Sequence, residues 1–514
     1  MPRKQFVIII LFFVSLLVFN FAINRNSVMA AQQYAVYTAP DGFEIISYCS
    51  AWSETVKLKG VYDELNRNTH GEEFKLLRRV SIFPGQDPQG RTIAGRWFGQ
   101  WKTKNGVPIL EGNRYIEIYD GQRLTTVEGI ARTLAHEYGH HFTYYYYFKQ
   151  EKKVWKSWRS SGLAVARGLN NNNYVSTNTA DHKWLIEEIA AEDYVQLFGS
   201  LTAKRSYDFK DISERLTTDK LNTVFNTDIY NFCPQENREI PLAANLPKVK
   251  EYWLKASKLP GKVSNPPSQI NLELEDVQKM PHGDIPQYIF AWDKSVDGRA
   301  TNLEYTLVHF EKNNNEIFDF EPIKTVSGNE PLKAVLGAAM GSNMILQENV
   351  PTDIGYFVVY IKDQNAMITS SKILAVDFNP NANLDSVLID INSLLNQVWF
   401  PPRVKINNKQ LTFDVSPIIQ DGRVLVPLRI IFEELGATVA WDPRTKTVTA
   451  GKGGVNITLN PGLNTAIVNT QSVLLDAPPQ IINGRVLVPL RFVSEALGAQ
   501  ASWNSKLQLA SIKQ

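Results

Sequence analysis

The chain opens on its longest apolar run. From Phe6 to Phe19, fourteen residues include one polar side chain, Ser15. Pro2-Arg3-Lys4 precede the run, and a more polar stretch with Asn20, Asn24 and Asn26 leads to Val28-Met29-Ala30-Ala31. A positive start, an apolar centre and small residues at a cleavage position have the form of a secretory signal peptide over 1–30. An uncleaved anchor is the alternative, because Phe21-Ala22-Ile23 could lengthen the span. Either way the rest of the chain is expected outside the cytosol, secreted and in reach of the cell surface. No later stretch has the length and apolarity of a second span.

Beyond this segment the hydrophobic pattern changes twice. Val127, Ile130, Ala131, Leu134, Tyr138 and Phe142 fall on one arc at about 100° per residue, which predicts a helix with one buried face. Thr125-Thr126-Val127-Glu128 has capping-box spacing, so Thr125 is the expected N-cap. A second helix is expected from Asp181, as N-cap, to Gly199, as stop. Arg96–Trp101 and Tyr115–Tyr119 read as strands of a sheet beside the first helix, and Asn170–Asn173 as a loop between the helices. Residues 32–260 therefore predict an α+β domain. A Pro/Gly/Ser-rich break follows, and over 262–380 the runs become short and β-rich: Ile270–Leu274, Gln287–Trp292, Tyr305–Phe310 and Tyr356–Ile361. That is the pattern of an all-β antiparallel sandwich. Residues 381–402 read as a polar linker.

Residues 403–514 contain an internal repeat. Asp421-Gly-Arg-Val-Leu-Val-Pro-Leu-Arg429 recurs as Asn483-Gly-Arg-Val-Leu-Val-Pro-Leu-Arg491, an offset of 62 that also maps Trp441 onto Trp503. Each unit reads as turn, buried strand, short amphipathic helix and strand. Gly436 and Gly498 suit the left-handed position after a helix. The two units are expected to pack on each other. The fold class is thus multidomain: an α+β domain, a sandwich and an α+β pair of repeats.

Composition narrows the chemistry. The 54 Lys and Arg against 52 Asp and Glu leave a net charge of +2, so no nucleic-acid partner is expected, and membrane contact is expected only through the first segment. Two Cys and seven His exclude cysteine-based zinc modules and iron–sulfur clusters. A metal site must use His and carboxylates. In an exported chain Cys49 and Cys233 form an even pair. A disulfide between them would close a long loop worth ~5 kcal/mol in the chain-entropy model; two separate buried thiols are the alternative.

One segment concentrates the scarce histidines: His136-Glu137-Tyr138-Gly139-His140. With so few His, a His-Glu-x-x-His match arises by chance in roughly 1 of 200 such chains. On the helix above, His136 and His140 lie one turn apart, opposite the apolar arc, so both imidazoles can reach one ion. Glu137 lies on the flank between. No Asp, Glu, Lys or Arg occupies 133–135, 138, 139 or 141, and position 142 is apolar. This setting resembles that of the zinc peptidases, in which two His and a third protein ligand leave one position open for water.

Downstream, Glu188-Ile-Ala-Ala191-Glu192 resembles the Glu-x-x-Ala/Ser-Asp/Glu element of the gluzincins, the His-His-Glu zinc peptidases. The resemblance implies Zn²⁺ on His136, His140 and Glu188, with Glu192 orienting a ligand His; Glu187 stays open as the rival ligand. It implies a secreted zinc-dependent endopeptidase acting on protein or peptide substrates, with Glu137 as general base toward a metal-activated water. The longer His-Glu-x-x-His-x-x-Gly-x-x-His pattern is not met, since Thr143 and Tyr146 stand where Gly and the third His would be. The lethal-factor-like lineage places a Tyr seven residues before the ligand Glu, where this chain has Asp181. The group facing the transition state is therefore open among Tyr174, Tyr194 and His182. His70, His282 and His309 are isolated and read as structural.

Two further resemblances concern the rest of the chain. Pro266-Pro267 before the first strand, Trp292 on the second, and Asp363-Gln364-Asn365 and Ser370-Ser371 after a Tyr-rich penultimate strand resemble a fibronectin type III module. The repeats resemble the stalk domain of bacterial exported proteins, also labelled the copper amine oxidase N-terminal domain. Amine oxidation would need a cofactor-forming Asn-Tyr-Asp/Glu and a His-x-His copper pair, and the chain has neither; residues 403–514 contain no His. The resemblance implies a spacer or surface-association module, with cell-wall or envelope polymer as its partner. The other functional reading is accordingly a cell-surface binding or scaffold protein whose peptidase domain is vestigial.

Overall fold

The computed structural model describes residues 32–88, 93–205, 229–259, 265–278, 286–296, 303–313, 316–340, 345–347, 351, 353–379, 384–389, 402–407 and 409–514. The expected signal segment and His282 lie outside them. The described chain is multidomain and rich in strands. No described helix is long and apolar enough to cross a membrane.

The first domain is built on five strands: β1 (Ala35–Thr38), β2 (Glu44–Ser47), β3 (Leu77–Ile82), β4 (Gly95–Lys104) and β5 (Val107–Ile118). Their order is β1-β2-β3-β5-β4. The β2–β3 and β3–β5 pairs are parallel, whereas β4 pairs antiparallel with β5 and forms one edge. Helix α1 (Thr55–Arg67) connects β2 to β3. The 25-residue α2 (Val127–Glu151) packs across β4 and β5.

The cap of α2 is one residue later than expected. Thr126, not Thr125, is the N-cap: its backbone is extended, and its Oγ1 accepts from the Gly129 N–H at 3.1 Å. At the far end Lys152 adopts a left-handed conformation, and its N–H closes on Phe148 O. Ile130, Ala131, Leu134, Tyr138 and Phe142 are fully buried, so the apolar arc faces the core. After α3 (Gly162–Arg167) comes α4 (Ile186–Phe198). It starts later than expected, with Leu185 as N-cap, because His182–Trp184 form a separate 3₁₀ turn after Asp181. Gly199 does stop it, donating to Tyr194 O and Val195 O. Helix α5 (Pro247–Ser257) completes the layer.

The central part has two antiparallel sheets sharing one core. Strands β6 (Leu272–Gln278), β7 (Gln287–Trp292) and β10 (Lys333–Leu336) form the smaller sheet. Strands β8 (Glu304–Asn313), β9 (Glu316–Ser327), β13 (Ile354–Lys362), β14 (Ile368–Ser370), β15 (Ile373–Asp377) and β16 (Ser386–Ile389) form the larger. The short β11 (Ala338–Met340) and β12 (Ile345–Gln347) pair apart from both. Phe290, Tyr305, Phe357 and Val376 meet between the two sheets. The expected linker over 381–402 needs correction: β16 lies inside it and pairs with β15, because Val387 and Ile389 alternate into the core.

In the repeats, Arg423–Pro427 pairs antiparallel with its counterpart Arg485–Pro489. Each strand feeds a seven-residue helix, Leu428–Glu434 or Leu490–Ala496, and both helices pack into one core. Gly436 and Gly498 have φ of +82° and +71°, as their position requires. Arg403–Ile406 pairs in parallel with Leu509–Lys513, so the module closes its beginning onto its end.

The three parts meet in a shared apolar cluster. Phe232, Cys233 and Leu242 come from the first domain, Phe310, Ile317, Val358 and Tyr360 from the sheets, and Leu507 and Leu509 from the repeats. The disulfide considered for Cys49 and Cys233 is not formed. Both are buried free thiols: Cys49 is in the first-domain core and Cys233 is in this junction, where it accepts from Tyr360.

Candidate metal centre

The site forms because α2 and α4 touch. Gly139 lies at their closest approach, where an added Cβ would stand 2.8 Å from Ala191 O. A side chain at 139 would push the helices apart. With Gly139 and Ala191 in contact, Glu188 reaches the metal face of α2. Its Oε2 lies 3.1 Å from both His136 Nε2 and His140 Nε2. One ligand atom from each of His136, His140 and Glu188 falls within 4.8 Å of the others, an arrangement that could hold a single ion. Glu187 stands outside this trio.

A second layer orients the first. Glu192, one turn beyond Glu188, places Oε1 3.1 Å from His136 Nδ1, and Arg132 Nη2 donates to its Oε2 at 2.6 Å. Arg132 lies over the Tyr230 ring at 4.1 Å and donates to Pro234 O. With its proton on Nδ1, His136 donates to Glu192 and turns the lone pair of Nε2 toward Glu188 Oε2. Two acceptors then face each other at 3.1 Å. Only a proton or a cation between them relieves that repulsion, so this donor set fits a divalent ion.

The electrostatics follow from burial and pairing. Burial would lower the pKa of His136, but its hydrogen bonds to Glu188 and Glu192 outweigh that and raise it well above the usual imidazole range. Burial works upward on Glu188 as well, and His140 and His136 together bring it far below the usual carboxylate range. Glu192 is held low against its burial by Arg132 and His136. Glu137 is raised by burial, which the two His offset only in part. Glu187 is pushed up to about 7, chiefly by burial.

Glu137 is set against the edge strand. A Cβ at Gly95 would come 2.8 Å from Glu137 Cγ, and the Trp97 backbone N–H donates to the Glu137 carboxylate. Of the three side chains open for the transition-state role, the structure brings one to the site. His182 Nε2 is 3.3 Å from Glu188 Oε2, and its Nδ1 is 2.8 Å from Glu236 Oε2. That hydrogen bond is the main reason its pKa is raised. Tyr194 instead packs in the core against Tyr138 and Phe142, its hydroxyl donating to Thr69 O. Tyr174 packs on Trp184. His70 stacks on Phe74, and His309 is buried between the sheets, in structural roles.

Sequence reasoning missed Arg132, Tyr230, Pro234 and Glu236. Arg132 could have been found, since it shares a helix face with His136 four residues on. The others come from a distant segment with no motif.

Comparison with known proteins concerns the other end of the chain. Residues 405–512 match the copper amine oxidase N-terminal domain. A protein named protease inhibitor from Brevibacillus choshinensis is 35% identical over 101 residues, covering 19% of this chain and 30% of that protein. A primary amine oxidase from Klebsiella aerogenes is 34% identical over 82 residues, covering 16% of this chain and 11% of the oxidase. The chain thus spans less than a third of either relative. The matched domain holds no His, so a copper ligand set of that kind is absent from it.

Proposed function

We propose that the chain is a secreted zinc-dependent endopeptidase of the gluzincin type, with a zincin-like first domain and His136, His140 and Glu188 as metal ligands. The observation that carries this reading is the convergence of two imidazole nitrogens on one carboxylate oxygen, with Glu192 and Arg132 behind them. Two His and one carboxylate suit Zn²⁺ and leave a coordination position free. When bound there, zinc lowers the pKa of a coordinated water toward ~7 and polarises a carbonyl oxygen.

The chain's own residues do the rest. Glu137 takes a proton from the attacking water and returns it to the leaving amine. Its burial raises its proton affinity, which suits a group that must both accept and give. His182, steadied by Glu236, is the donor we assign to the developing negative charge on the carbonyl oxygen. The edge strand β4 offers backbone groups beside Glu137 for an extended peptide to pair with. The repeats act as a spacer or surface-association module toward envelope polymer.

The test is hydrolysis of casein and of a peptide library by purified protein, stripped with a chelator and reloaded with zinc. Cleavage that is lost on stripping and restored by zinc is the expected result. Tight zinc binding with no cleavage would favour a vestigial scaffold.

A further inference from the structure

A cavity of about 310 Å³ lies where the first domain meets the larger sheet. Residues between 233 and 246 form one side of it, and strands β8, β9 and β13 contribute to the other. It is separate from the metal centre, since none of His136, His140 and Glu188 lines it. Its volume falls at the lower end of the roughly 300–1,000 Å³ of small-molecule sites. Phe310, Ile317, Phe320 and Val358 give it an apolar side.

Several polar side chains of the wall are engaged within the protein. Gln235 Nε2 donates to Asn237 O and Ile240 O, both at 2.7 Å, and Asn245 Nδ2 donates to Ser370 Oγ at 2.8 Å. Arg238 differs. Its guanidinium lies over the Phe320 ring, 4.8 Å from the centre. The ring covers one face of the guanidinium, but the N–H groups lie in its plane and point outward from the edge. Nε is buried and has no hydrogen-bond partner among the described residues. The nearest acids in sequence pair elsewhere: Glu236 with His182, and Glu239 with Lys183. Among the described residues no Asp or Glu lines the cavity, so its charged wall residues, Arg238 and Lys372, are both cations. A buried donor left without a partner is unfavourable unless something fills the place.

We propose that this cavity binds a small carboxylate with an aliphatic or aromatic body. Its charged end sits on Arg238, and its body lies against Phe310, Ile317, Phe320 and Val358. A carboxylate matches the planar fork of a guanidinium, which the stack on Phe320 holds in place. A cationic ligand would meet like charge. A neutral apolar one would leave Arg238 unpaired. The site does not depend on the peptidase reading, because it shares no residue with the metal trio.

The experiment is calorimetric titration of the full chain with hexanoate, hexan-1-ol and hexylamine, which share an alkyl chain and differ in charge. Each titration is run on zinc-loaded and on chelator-stripped protein. Hexanoate is expected to bind about 10- to 100-fold more tightly than hexanol, the worth of hydrogen bonds to a charged group. Hexylamine should bind more weakly than either. The margin for hexanoate should be lost in Arg238→Gln and partly kept in Arg238→Lys, which retains the charge without the fork. Equal affinity for hexanoate and hexanol overturns the proposal, as does no hexanoate binding up to about 10 mM. A margin that appears only with zinc overturns it by placing the carboxylate on the metal. An undiminished margin in Arg238→Gln overturns it by placing the carboxylate away from Arg238. The ligand series with and without zinc is measured on the wild type, so it decides even where a substitution at 238 disturbs folding.

Discussion

Between α2 and α4, four acids, two His and one Arg are packed into one cleft, and Glu137, His140 and Glu192 are buried. In the C-terminal repeats most charged pairs sit at the surface, as with Lys409–Glu434 and Arg485–Asp414, and the shared core is apolar. Both regions are well packed, so stability alone does not explain why one concentrates buried charge. Exposed pairs contribute little, and buried ones are hard to justify by stability because desolvation offsets their attraction. The difference teaches that the charge in this cleft converges on one point, the place His136, His140 and Glu188 share. The repeats supply a contrasting control, since their buried charge lies where they meet the sheets. There Asp385 accepts from Ser511 Oγ at 2.9 Å and pairs with Lys405 at 3.2 Å.

This contrast can be broken at several points. The largest effect on stability is expected at that junction. Asp385→Ala strands the Lys405 ammonium and should lower unfolding free energy by about 3–5 kcal/mol. Zinc affinity, read by titration, should not move. A matching loss of zinc affinity would join the two regions that the comparison separates.

Next is Lys204, buried beside Met367 Sδ, where the first domain meets the sheets. Burial lowers its pKa to about 8. Between pH 8 and the ordinary lysine range near 10.5, the unfolded chain holds a proton that the folded one has released, so stability rises with pH there. Below pH 8 both states carry the charge, and the folded state bears the full penalty. Against Lys204→Met, the wild type should gain up to about 3 kcal/mol across this window in denaturant titrations. Parallel pH curves would contradict the assignment.

Smaller again is Glu192→Gln, which removes the charge behind His136. Zinc affinity should fall about 10- to 100-fold with little loss of fold. An unchanged zinc titration would mean that Glu192 is held for Arg132 alone. The smallest effect concerns the thiols. Alkylation of unfolded protein should add the same mass with and without prior reduction, because Cys49 and Cys233 are unbridged.

What could be read in advance follows the range of the forces involved. The buried arc of α2 and the placing of His136 and His140 opposite it depend on one helix period, and both were legible. The repeats were legible because each unit carries the same turn, strand and helix signals. The cap slipped to Thr126 because two adjacent Thr both have capping chemistry, and only the entry angle of the chain chooses between them. The late start of α4 at Ile186 reflects His182 held by Glu236, a contact 54 positions away. The segment around residues 229–242 was not legible as part of the site. It brings Tyr230 and Pro234 to Arg132, and Glu236 to His182. It also sends Phe232, Cys233 and Leu242 into the junction. Nothing local in its sequence encodes those partners. The same holds for β16, whose short alternation inside a polar stretch becomes a strand only because β15 offers an edge.

The central claim is that the buried cleft is a catalytic metal centre, and Glu137→Gln tests it most directly. Zinc stoichiometry and peptide hydrolysis should be measured on the same preparation of that variant and of the wild type. The account predicts that one zinc per chain is retained and that turnover falls by about 10²- to 10⁴-fold. Undiminished hydrolysis with zinc in place would contradict it.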